Sequence, residues 1–82
     1  MGDTEGHGSE ATRRELAALL RQQREQAELS TDQLAGRLRI TAAEIAAVEG
    51  GDQPIPGRLV YGWLNACGLL GPERRAIMDL AE

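Results

Sequence analysis

The chain of 82 residues has no Phe, no Lys, one Tyr, one Trp, one Cys and three Pro. A protein built from many short strands would want more aromatic and β-branched residues, so the poverty of aromatics favours an all-α fold. A single cysteine, Cys67, excludes an internal disulfide and suits a reducing compartment. No apolar run approaches the ~20 residues that span a bilayer, and no signal peptide is legible, so a cytoplasmic location without membrane contact is expected. The one histidine, His7, sits in a Gly- and charge-rich start, MGDTEGHGSE, with no second ligand nearby. Neither a Ser/His/Asp set nor metal-ligand spacing nor a phosphate-cradling Gly motif can be assembled, which argues against an enzyme, a metal site or a small-molecule cofactor.

What is present is a set of capped, periodic segments. Residues 1–10 read as a disordered acidic tail and residues 11–82 as one domain. The net charge is −4, but the tail holds Asp3, Glu5 and Glu10; the remainder carries nine Arg against ten acids, a net of −1. Charge pattern therefore matters more than total charge. Thr12-Arg13-Arg14-Glu15, Ser30-Thr31-Asp32-Gln33 and Thr41-Ala42-Ala43-Glu44 each have capping-box spacing, a hydroxyl followed three residues later by Glu or Gln. The first is expected to open a helix whose apolar stripe is Leu16, Leu19, Leu20, Gln23 and Ala27. The second and third predict helices over 31–38 and 42–49, closed on each other by Leu34, Ala35, Leu38, Ile40, Ile45 and Val48.

The segment GGDQPIP is a loop, since Gly50 stops the third helix and Pro54 and Pro56 prevent its extension. Leu59, Val60, Trp63, Leu64 and Cys67 mark a fourth helix ended by Gly68 or Gly71. Pro72-Glu73 opens a fifth that carries Ile77 and Leu80 and still runs at residue 82. The expectation is a compact five-helix bundle with a helix-turn-helix formed by its second and third helices. Trp63 is assigned to the core, with partial exposure at a dimer seam as the sharper alternative, and Cys67 reads as a buried structural thiol.

Leu20-Arg21, Arg24, Leu29-Ser30, Leu34-Ala35, Leu38, Ile40-Thr41, Ile45, Val48 and Glu49-Gly50 together resemble the phage repressor/Cro-type helix-turn-helix family, also called the xenobiotic-response-element family. The resemblance covers about residues 16–70. The stretch around Cys67-Gly68-Leu69 is similar to small actinobacterial-type regulators. The resemblance implies an Arg24–Glu49 ion pair tying the first helix to the end of the third, and a third helix lying in a DNA major groove.

The residues depart from that pattern at the reading face. Thr31 stands where the family often has Gln. Ala42, Ala43, Ala46 and Ala47 fall in one sector of the third helix, opposite Ile45 and Val48. Alanine has no donor or acceptor and can touch only a thymine methyl. Glu44 could accept from cytosine, though capping with Thr41 explains it more simply. Arg39 occupies a left-handed turn position that the family commonly fills with Gly. Arg37, Arg39 and Arg58, and secondarily Arg13, Arg14 and Arg21, are the candidates for phosphate contact.

Two functions are consistent with this. One is a DNA-binding transcriptional regulator with weak direct readout, aided by homodimerisation across two half-sites. The other is a module that binds a protein partner through the alanine face. Family habit puts DNA first.

Overall fold

The computed structural model describes residues 10–51 and 53–81; residues 1–9 of the expected tail, with His7, lie outside them, while its last residue, Glu10, belongs to a helix and not to a tail. Five helices follow in order: α1 (Glu10–Gln26), α2 (Thr31–Leu38), α3 (Ala42–Gly50), α4 (Gly57–Ala66) and α5 (Pro72–Met78). No strand occurs among the described residues. α2 packs on α3 and α4, α1 on α3 and α4, and α5 on α4.

Their boundaries follow from local chemistry, with three corrections to expectation. α1 does not start at a Thr12 cap: it is already helical at Glu10. Glu10 sits favourably near the positive end of the helix dipole and pairs with Arg14 one turn on, at 2.7 Å. α3 runs through Gly50 and is closed by Gly51 in the left-handed region, at φ 73°. α5 stops at Met78, because Leu80 and Ala81 donate back to Ile77 and Met78 in tight three-residue turns.

The core gathers one face from every helix: Leu16, Ala17 and Leu20 of α1, Leu34 and Ala35 of α2, Ile45 and Val48 of α3, Val60, Trp63 and Leu64 of α4, and Ile77 of α5. Trp63 is fully buried, which rules out its exposure at a seam. Its indole N–H donates to the Leu20 carbonyl at 3.0 Å, so the one polar atom of the largest core residue is satisfied. Cys67 is only partly buried, at the edge of this core, and burial pushes its thiol pKa up.

Two close approaches set how the helices lie. Gly51 is buried, and a Cβ there would meet the Arg14 backbone at 3.4 Å and Ala17 at 3.5 Å, so the end of α3 rests directly on α1. Ile55, flanked by Pro54 and Pro56 in the loop after α3, is 1% exposed and plugs the core from outside any helix.

Candidate nucleic-acid interface

α2 and α3 begin in the same way. Ser30 Oγ accepts from the Gln33 N–H at 3.0 Å, and Gln33 Oε1 accepts from the Ser30 N–H at 2.8 Å. Thr41 Oγ1 accepts from the Glu44 N–H at 3.1 Å, and Glu44 Oε1 accepts from the Thr41 N–H at 2.8 Å. Each reciprocal cap gives side-chain partners to two N–H groups at the helix start and fixes where its helix begins.

The turn between them is closed by Arg39, in the left-handed region at φ 60°. Both the Arg39 and Ile40 N–H groups donate to the Ala35 carbonyl, which turns the chain sharply into α3. α1 ends alike, with Glu28 at φ 61° and the Leu29 N–H donating to the Arg24 carbonyl. Sequence reading anticipated the first of these turns and missed the second, because Glu carries no turn signal.

The far end of α3 is held by an ion pair. Arg24 of α1 grips Glu49 with two parallel bonds, Nε to Oε2 at 2.6 Å and Nη2 to Oε1 at 3.1 Å, while Nη1 donates to the Leu29 carbonyl at 2.8 Å. The two side chains are only 13% and 10% exposed. The Glu49 hydrogen bond, opposed by burial, raises the Arg24 pKa further above its usual value, so the guanidinium is always charged. α3 is thus fixed at both ends: Thr41–Glu44 at the start, Arg24–Glu49 and Gly51 at the finish.

With Ile45 and Val48 buried, the rest of α3 faces outward. Ala43, Glu44, Ala46 and Ala47 are exposed, as is Thr41; Ala42 is half-buried against the core edge and so belongs only partly to the outer face. Thr31, at the start of α2, is also half-buried, while its neighbours Asp32 and Gln33 are exposed. The exposed face therefore offers methyl groups, hydroxyls and carboxylates, with cations only at its margins.

Those cations divide into free and engaged. Arg39 and Arg58 are exposed, in the α2–α3 turn and the first turn of α4. Arg37 is exposed but donates to the Ala66 carbonyl at 3.3 Å, tying α2 to the C-terminal end of α4. Arg14 and Arg21 make i,i+4 pairs with Glu10 and Glu25 on α1's own surface, and Arg13 is half-buried. Pro56 stands at the N-cap of α4 and its side chain cannot cap, so the first backbone N–H groups of α4 receive no side-chain partner among the described residues.

A cluster that the sequence did not reveal joins α4 to α5. Arg74 of α5 stacks 4.8 Å from the centre of the Tyr61 ring and donates to Asn65 Oδ1 at 2.6 Å. The Asn65 hydrogen bond and the nearby Arg74 charge lower the Tyr61 pKa. No group of three or more potential metal ligands occurs among the described residues. None of the described helices is long and apolar enough to cross a membrane.

Two short helices meeting at a left-handed turn, the second clamped at both ends with its outer face open, is the geometry of a helix-turn-helix. A family model described as a helix-turn-helix domain matches residues 15–77. The chain belongs to the helix-turn-helix domain family. The match spans all the elements that build the site, from α1 through the buried Ile77 of α5. A search of curated proteins found no match to this helix-turn-helix domain.

Proposed function

We propose that this helix-turn-helix domain is a repressor-like, Cro-type transcriptional regulator that docks α2 and α3 on duplex DNA, with α3 in the major groove. The observation that carries the reading is the two-sidedness of α3: Ile45, Val48 and Glu49 are turned inward, while Ala43, Glu44, Ala46 and Ala47 face out from a helix anchored at both ends. Three alanines supply no hydrogen bonds, so affinity comes mainly from the phosphate backbone. Arg39 and Arg58 are its side-chain contacts, Arg37 joins them by leaving the Ala66 carbonyl, and the uncapped start of α4 adds backbone N–H groups. Contacts this few give weak binding to a single half-site, so a homodimer across two half-sites is the working form.

The test is the affinity of wild type and an Arg37→Ala/Arg39→Ala double variant for a mixed-sequence duplex, followed by fluorescence anisotropy. Loss of two phosphate contacts should weaken binding to every duplex alike and flatten the salt dependence by about two counterions. Equal affinity in the two proteins would remove both arginines from the interface. A second reading, docking of a protein partner on the same face, is favoured by one feature: beside its exposed alanines, the exposed charge that α3 carries is the acidic Glu44 and not a cation.

A further inference from the structure

Glu44 is the N3 residue of α3, in the first turn, where a helix-turn-helix brings side chains to base edges. Its carboxylate is divided between two tasks. Oε1 is committed to the cap, accepting from the Thr41 N–H at 2.8 Å and from the Thr41 hydroxyl at 3.2 Å. Oε2 accepts no hydrogen bond from any described residue, and the side chain is exposed. The cap therefore does more than start the helix: it fixes the torsions of Glu44 and holds one acceptor oxygen outward in a set position.

Nothing else on the exposed surface of α3 competes with that oxygen. Ala43, Ala46 and Ala47 have neither donors nor acceptors, and the Thr41 hydroxyl is already engaged with Glu44. All hydrogen-bond discrimination by α3 side chains falls on one atom. In the major groove a carboxylate oxygen meets donors only at the cytosine N4 amine and the adenine N6 amine. Guanine presents O6 and N7, and thymine presents O4, all acceptors that repel it. Adenine's amine stands beside its own acceptor N7, which leaves cytosine the better partner.

Resting on the DNA-docking reading above, we infer that Glu44 is the specificity-determining residue of α3, its Oε2 accepting from the N4 amine of a cytosine. The same carboxylate, set against the phosphates, lowers affinity for every other sequence, so it selects by rejection as much as by attraction.

The chain itself supplies a variant that leaves the fold alone. In α2 a Gln at the equivalent N3 position makes the same reciprocal cap through its Oε1. Glu44→Gln should cap α3 in that way and put an NH2 donor outward where Oε2 stood, inverting the polarity of the reading atom without moving it. Selection from a library of randomised duplexes should then return cytosine at one column for wild type and, for Glu44→Gln, a base that presents an acceptor there, thymine through O4 or guanine through O6 or N7. Wild type should prefer cytosine there by about tenfold in competition anisotropy. Affinity of Glu44→Gln for mixed-sequence duplex should rise a few-fold at low salt as a negative charge is removed. The same base at that column for both proteins, or no preferred base in wild type, overturns the inference while leaving DNA docking intact. Absence of any binding to mixed duplex at low salt overturns both. A circular-dichroism melt of Glu44→Gln that matches wild type separates a change of reading from a change of fold.

Discussion

The α2–α3 end of the molecule and the α4–α5 end are built to different standards. α2 and α3 each begin with a reciprocal side-chain cap, and α3 is further held by a largely buried two-pronged ion pair and a glycine seated on α1. α5 begins at Gly71 with no side-chain cap, is seven residues long, and contributes one core side chain, Ile77. Leu70, just before it, is 66% exposed, and its link to α4 through Tyr61 and Arg74 lies on the surface. Rigidity is concentrated where the direction of one helix must be set, and is relaxed elsewhere. A face with few contacts to offer gains from this, since a helix that needs no ordering on binding loses less entropy to it.

The comparison breaks most readily at the ion pair. Arg24→Ala would strand Glu49 and the Leu29 carbonyl in a region with little water access, and should cost about 2–4 kcal/mol in urea unfolding. Arg74→Ala at the other end should leave the midpoint unchanged within error, because that contact is solvated. Equal losses at the two sites would erase the contrast. Next in size, Gly51→Ala forces a Cβ into a left-handed residue against the Arg14 backbone and should cost about 1–3 kcal/mol. Thermal melts that show no change would mean that α3 does not rest on α1 as described. The smallest effect has the opposite sign. Arg39→Gly relieves a left-handed non-glycine residue and should raise stability by about 0.5–1 kcal/mol, while also removing a cation from the candidate interface. Stability would rise and DNA affinity fall in one protein, an outcome that packing alone cannot produce.

Much of the fold was legible because its signals are short-range. A hydroxyl and a Glu or Gln three residues apart fix a helix start within one turn, and the structure forms both caps of the α2–α3 unit where that spacing places them. The ends that depend on distant residues were not legible. Glu28 adopts a left-handed conformation because Leu29 must fold back on the Arg24 carbonyl, and no local preference of Glu announces that. Ile55 stands between two prolines in a loop, and its burial in the core depends on the packing of the helices and not on any local signal. The Thr12 motif misled for the reverse reason: a spacing that caps a helix occurs equally well inside one, and Glu10 with Arg14 carries α1 past it. At the candidate site the residue types were visible, but the division of labour in the Glu44 carboxylate needs its two oxygens placed in space.

The central claim is that the outer surface of α2 and α3 is a DNA-docking face. It is tested most directly by titrating isotope-labelled protein with mixed-sequence duplex at about 50 mM salt, where phosphate attraction is strong, and following the backbone amides. The account predicts shifts at Thr31, Arg37, Arg39, residues 42–47 and the start of α4 at Arg58, fading as salt rises. An unperturbed α2–α3 surface at that salt, or shifts confined to α4 and α5, would contradict it.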